Sequence, residues 1–484
     1  MTATGPAAPA ARRVSARSRW AFGYGSIAYG VKDSGFATFL LLFYNQVIGL
    51  DAAAVGGVIG AVLIVEAFAD PLVGFLSDHT RSRLGRRLPW MYGAALPISL
   101  AWLMLWNPPA GWSEPALLGY LFATALAVRL ALSAFEIPSA AMGPELTGDY
   151  DERTRLFSYR YLFAWGGGMV MLALCYMVFL LPDPAHPRPG GYATMAGVGA
   201  VLMFGSIIAS AIGLHPEIRN LPPAAPAGSE TFAEHFGAFI RTVRNRGFLT
   251  LMAAGICAYT AQGISFGLSN YMYPFVWHFA GYDYLWLTFS LFLGAVGAFL
   301  IAPRFTRRGD KRRAGMLFAI ANALLITGPY FLRLAGLFPL PGDPVTVPLL
   351  LVIFGLNTTC GVSAFIIGAS MLSDVTEESE QRTGARSEGV FFAGSFFVQK
   401  FVGGLGSFMS GQILAIAQFP AAAKVGEVAP ESIDRLTLVF ALALLLFYGL
   451  AALGYAWFPF GRAEHERRLA RLRSEAAEAA AAAE

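Results

Sequence analysis

Gly74-Phe-Leu-Ser-Asp78-His-Thr-Arg81-Ser-Arg83-Leu-Gly85-Arg86-Arg87 ends one apolar run and leads straight into another. The runs on either side, residues 52–77 and 88–108, are each long enough to cross the roughly 30 Å hydrocarbon core of a bilayer as a helix, at about 1.5 Å per residue. Four arginines crowd the turn between them, and Lys and Arg collect beside membrane-crossing helices on the cytoplasmic side. The stretch therefore reads as the cytoplasmic link of a helical hairpin embedded in a membrane.

Further apolar runs of spanning length lie on both sides of this hairpin, at 22–48, 115–143, 155–182 and 191–214, which completes a set of six. A polar stretch follows, and then six more occupy 248–277, 284–303, 314–334, 346–373, 388–417 and 433–460. Composition agrees: 56% of the 484 residues are hydrophobic and 14% charged, against about 25% charged in an average soluble domain. Most of the 35 lysines and arginines fall on the side of the Arg81–Arg87 turn. The expected fold is an all-α membrane protein, with twelve transmembrane helices in two six-helix halves and both termini cytoplasmic. The expected location is a plasma membrane, in a bacterium the inner one, crossed many times.

The expected organisation is a disordered cytoplasmic tail at 1–20, a first bundle at 21–214, a cytoplasmic central loop at 215–247, a second bundle at 248–460 and a tail at 461–484. In the central loop, Phe232, Phe236, Phe239, Ile240 and Val243 recur at helical spacing, which suits either an amphipathic helix on the membrane surface or a solvated linker helix. The net charge of +4 comes from clusters beside apolar runs, so a nucleic-acid partner is not expected. Cys175, Cys257 and Cys360 lie in apolar stretches without metal-ligand spacing. No nucleophile-base pair or metal set within the spans suggests an enzyme, and no cofactor beyond a coupling ion is expected.

Pro303-Arg304-Phe-Thr-Arg307-Arg308-Gly309-Asp310-Lys311-Arg312-Arg313 occupies the same place in the second half as the opening turn does in the first. Matching loops in two six-helix halves are what an internally repeated transporter produces. Asp78, Arg81, Arg86 and Arg87 are the candidate gating residues, expected to pair with neighbouring helix ends; simple charge anchoring is the lesser alternative for the arginines and a lesser one still for Asp78.

Eight ionisable residues fall inside the spans: Lys32, Asp33, Glu66, Asp70, Arg129, Glu136, Arg160 and Lys400. Unpaired near the bilayer centre, each costs about 2.5 to 3.5 kcal/mol, so together they must face one another or water. Glu66 and Asp70 stand at i and i+4 on one face of a helix. Two carboxylates so close repel when both are ionised, a strain relieved by a proton or a bound cation. That is the chemistry of a coupling-ion site. Interhelical salt bridges alone also explain the charges, a role that suits Arg129 and Arg160 best. The second half offers neutral groups, among them Tyr259, Gln262, Asn357 and Gln399, which suit a polyol or a mixed polar and apolar solute.

These residues resemble the motifs of the glycoside-pentoside-hexuronide:cation symporter family of the major facilitator superfamily. The resemblance rests on Lys32-Asp33, on Glu66-Ala-Phe-Ala-Asp70-Pro71 with the loop after it, on Glu136-Ile137-Pro138, and on Arg386-Ser-Glu388-Gly389 with Gln399-Lys400. It implies that Glu66 and Asp70 bind the coupling ion, H+ or Na+, with a hydroxyl from Ser133 and with Lys400 beside them. It also implies that Lys32, Asp33, Glu136 and Arg160 line a sugar site. Cation-coupled symport of a sugar, glycoside or related organic solute by alternating access is the implied function, by a protein expected to be a monomer surrounded by membrane lipid. The sequence departs from the family at Glu66, commonly Asp, at Ala69, where sodium-coupled members carry Asn, and at Ala140, where an aromatic stacks on the sugar. Carriage of a lysophospholipid or other amphipathic solute is the alternative, and a non-transporting receptor or sensor is the alternative of another class.

Overall fold

The computed structural model describes residues 14–147, 150–180, 190–219, 245–308, 310–383 and 388–459. The central-loop helix at Phe232–Val243, the tail from 461 and the Arg386 end of the Arg-Ser-Glu-Gly stretch lie outside the described residues, as does the side chain of Lys400. Every described element is helical, and the chain divides into two compact units, Met1–Glu230 and Thr231–Glu484.

The first unit contains α1 (Ala16–Tyr24), α2 (Ile27–Ser34), α3 (Leu40–Leu42), α4 (Ala52–His79), α5 (Leu88–Leu105), α6 (Glu114–Leu146), α7 (Tyr150–Leu174) and α8 (Gly191–Arg219). The second contains α9 (Arg246–Tyr271), α10 (Asp283–Arg308), α11 (Lys311–Leu334), α12 (Thr346–Thr383), α13 (Glu388–Ile416) and α14 (Pro430–Ala456). Among the described residues, ten helical stretches are long and apolar enough to cross a membrane. The other two expected spans take a different form. The first is broken into α1, α2 and α3: a turn at Gly25 and Ser26 separates α1 from α2, and π-helical turns at Gly35–Phe39 and Phe43–Val47 flank α3; the eleventh is α13, apolar over Val402–Ile416.

Helix α1 begins at Ala16, inside the stretch expected as a tail. Its start is fixed locally, because Ser15 Oγ accepts from the Ser18 amide at 3.1 Å, an N-cap that satisfies an otherwise orphaned donor. It is also held from outside: Trp20 packs edge-on against Tyr159 and Phe163 of α7, and Ser18 donates to Glu217 of α8.

The two units repeat one packing scheme. In the first, the principal neighbours are α1/α2 with α7, α1/α2 with α8, α4 with α6, α5 with α6 and α5 with α8. In the second they are α9 with α13, α9 with α14, α10 with α12, α11 with α12 and α11 with α14. Counted by span, these are the same five pairings. Small residues permit the closest of them, as expected where van der Waals packing and not water expulsion draws helices together. A Cβ on Gly30 would stand 2.0 Å from the Ala164 carbonyl of α7, and Gly263 of α9 meets Gly406 of α13 backbone to backbone. Large apolar side chains such as Phe68, Leu72, Val201 and Phe299 remain exposed on the outside, as a lipid-facing surface requires.

Candidate functional site

The first unit gathers seven of the eight in-span charges. On α2, Lys32 is buried, its Nζ 3.7 Å from Asp33 Oδ1 and 4.6 Å from the centre of the Tyr29 ring. Asp33 itself keeps 55% of its side chain exposed, so this aspartate is open to a ligand while its lysine neighbour is fixed. Opposite charges also meet across α6 and α7. Arg160 Nη2 lies 3.5 Å from Glu136 Oε1 and donates to the Glu136 carbonyl at 3.1 Å, while Nη1 donates to Ser139 Oγ at 2.9 Å. The guanidinium is oriented by three acceptors on one helix turn, and Phe22 covers it at 5.7 Å.

A second cluster lies on α4 and α6. Glu66 and Arg129, with side chains 3% and 8% exposed, form an ion pair between the two helices, and Phe36 of the first π-helical turn faces the guanidinium at 4.7 Å. A cation over a desolvated aromatic face gains about 2 kcal/mol in favourable cases. Asp70 is half-buried one turn along α4, and Ser133 is 1% exposed one turn along α6 from Arg129. The Ser133 hydroxyl has no hydrogen-bond partner among the described residues. The first span links the two clusters, since Lys32 and Asp33 stand about one turn before Phe36, which faces the Arg129 guanidinium.

The third group closes the end of the same unit. Arg87 pairs with Asp78, donates from Nη1 to Ser77 Oγ at 2.8 Å, and reaches Glu145 of α6 at 3.3 Å. Arg86 pairs with the same Glu145 oxygen at 2.5 Å. Arg81 is exposed and joins none of these contacts among the described residues. Glu145 is absent from the sequence reading because it lies just beyond the predicted end of its span at 143, where a polar residue is ordinary. Helix α6 has 33 residues, about 50 Å at 1.5 Å each, and so carries Glu145 past the hydrocarbon to the arginines. The second unit repeats the device: α12 runs for 38 residues, and Asp374 near its end receives Lys311 Nζ at 2.6 Å.

The neutral candidates of the second unit are more dispersed. Tyr259 stacks on Phe365 with ring centres 5.2 Å apart. Asn357 donates to Asn322 Oδ1 at 2.8 Å and to its carbonyl at 3.1 Å, so Asn322 is a partner that the sequence did not reveal. Gln262 is half-buried and Gln399 exposed, and neither is drawn into a polar cluster of the described residues.

Known proteins resemble this chain along nearly its whole length. A family profile described as MFS/sugar transport protein matches residues 21–462. An uncharacterised symporter of Synechocystis sp. is 29% identical, with 91% of this chain and 94% of the relative covered. The isoprimeverose transporter of Lactiplantibacillus pentosus is 24% identical over 92% of this chain and 89% of its own. Among solved structures, the nucleoside transporter NupG superposes with a TM-score of 0.59 at 16% identity, covering 92% of this chain and all of that one (100%), a likeness of fold alone.

Proposed function

The chain belongs to the MFS/sugar transport family, and on that premise we propose that it is a cation-coupled symporter that carries a sugar or glycoside across the membrane by alternating access. It is a multi-pass integral membrane protein, and we propose twelve spans with both termini in the cytoplasm, which the concentration of arginine at Arg81–Arg87 and Arg304–Arg313 supports. Relatives named symporters, and one named an isoprimeverose transporter, support the class of reaction and of cargo.

One observation carries the reading: ionisable side chains inside the spans of a single helical unit are gathered into two adjacent clusters of different chemistry. The open Asp33, with Lys32 and the oriented Glu136–Arg160 pair, offers both acceptors and donors to vicinal hydroxyls, which suits a polyol. The Glu66, Asp70, Ser133 and Arg129 group is where the coupling cation acts, with Lys400 assigned to the same function. Tyr259, Gln262, Asn357 and Gln399 are assigned to the less polar face of the substrate. The gating residues Asp78, Arg86 and Arg87 act through Glu145, with Arg81 as a surface charge.

Counterflow in proteoliposomes tests this, with a panel of glycosides, pentosides and hexuronates, with lysophospholipids included as the contrasting class, and with imposed H+ or Na+ gradients. Accumulation of a sugar-type solute driven by one ion is expected. Movement of a lysophospholipid instead, or of nothing in the panel, would overturn it.

A further inference from the structure

The turn after α4 carries two kinds of arginine. Arg86 and Arg87 are committed to Glu145 and Asp78, while Arg81 and Arg83 are exposed and form no ion pair among the described residues. Beside them opens a groove of about 640 Å³ between α5 and α6. Thr80, the residue before Arg81, stands at its mouth with Trp90, whose indole Nε1 donates to Thr80 Oγ1 at 2.8 Å. The Thr80 hydroxyl in turn donates to the Leu76 carbonyl at 2.8 Å. Both polar groups are satisfied within the protein, and the indole ring is held as a wall, in the role tryptophan plays at the level of lipid headgroups.

Away from the mouth the groove is apolar. Gly93 and Pro97 of α5 and Ala127, Ala131 and Ala134 of α6 line it, and from Pro89 to Pro97 it follows α5 for about 12 Å at 1.5 Å per residue. At 3.6 residues per turn the three alanines share one face of α6, while Arg129, Ser133 and Glu136 share the opposite one. The groove is therefore turned away from both charged clusters. Leu96 and Leu100 of α5, 56% and 50% exposed, lie near it, as on a face solvated by acyl chains.

We propose that this groove binds an anionic phospholipid, with an acyl chain along the small residues and the phosphate paired to Arg81 and Arg83. Glycine and alanine leave the space unfilled by the protein's own side chains, and a flexible chain laid in it gains the dispersion contacts that an open gap forfeits. The charge at the mouth selects the headgroup, because basic segments beside a membrane helix attract anionic lipid and a guanidinium can offer a phosphate two parallel N–H donors. A zwitterionic headgroup brings its own cation to the same two arginines and gains less. The inference needs only that the chain is embedded in a membrane, and it stands apart from the transport reading.

The full-length protein, purified and delipidated in detergent, is incubated with phosphatidylglycerol or with phosphatidylcholine of the same acyl chains. Native mass spectra count the lipids retained, and the midpoint of thermal unfolding, which a ligand bound by the native state alone raises, is recorded alongside. The wild type is expected to retain phosphatidylglycerol over phosphatidylcholine and to show a saturable upward shift with it. Arg81→Ala/Arg83→Ala is expected to bind phosphatidylglycerol about 30-fold more weakly, with one fewer molecule retained. Gly93→Leu fills the groove at a position where a Cβ meets nothing within 4 Å, so it is expected to fold as the wild type does and to lose the same molecule. Equal retention of both lipids by the wild type overturns the proposal, and so does either variant, folded, with the wild-type count. If the double variant does not fold, Gly93→Leu decides. A lipid-free dimer of the wild type that Gly93→Leu abolishes would assign the groove to a second copy of the chain and overturn the proposal as well.

Discussion

At the scale of single residues, the acidic pair divides into unequal partners. Glu66 faces a fixed cation, while Asp70, one turn along the same helix, is half-buried. Asp70→Asn is therefore expected to abolish gradient-driven accumulation while leaving solute exchange at equal concentrations intact; loss of both in a folded protein would remove Asp70 from coupling. Glu66→Gln is expected to act first on stability, because removing one partner of a buried ion pair costs about 3 to 5 kcal/mol, read as a lowered unfolding midpoint. The sequence made the pair visible, since i and i+4 share a helix face whatever the tertiary structure. It left the pairing of Glu66 with Arg129 open, because the facing of α4 against α6 depends on packing and not on spacing within either helix. Glu136 and Arg160 lie on different spans, and their contact was equally unreadable from spacing.

At the scale of elements, the bilayer makes helices legible: any run of about 20 apolar residues must satisfy its backbone internally. The break near Gly25 and Ser26 and the π-helical turns after Ser34 were not legible, for nothing in the composition of Gly35–Phe39 distinguishes it from ordinary helix. Helix contacts leave a clearer trace in small residues. Gly30→Leu is expected to separate α2 from α7 and lower the yield of folded protein, since the added atoms would enter the Ala164 carbonyl; a monodisperse Gly30→Leu protein with an unchanged melting curve would contradict that close approach. The ends of α6 and α12 carry the clamp residues Glu145 and Asp374. Glu145→Gln and Asp374→Asn are each expected to change the maximal rate of transport more than the apparent substrate affinity, because both lie beyond the predicted membrane spans, away from the Asp33, Glu136 and Arg160 group. Equal rates for wild type and both variants would reduce these pairs to anchors.

At the scale of the molecule, five helix pairings recur in both units while, among the described residues, the buried charge does not. Seven of the eight in-span ionisable residues belong to the first unit, and the second keeps the scaffold with Tyr259, Gln262 and Asn357 in place of ions. A repeat whose copies share architecture but not chemistry behaves as a machine with a fixed engine and an exchangeable tool holder. Selection on the less polar face of the cargo can rewrite Tyr259, Gln262 and Asn357 while Lys32, Asp33, Glu136 and Arg160 stay as they are, and mutations accepted at the former need not be matched at the latter. A hybrid joining the first unit to the corresponding half of a relative with a different cargo, the lysine at position 400 retained, is expected to keep this chain's ion and its demand for hydroxyls and to change its preference only for the less polar part of the solute.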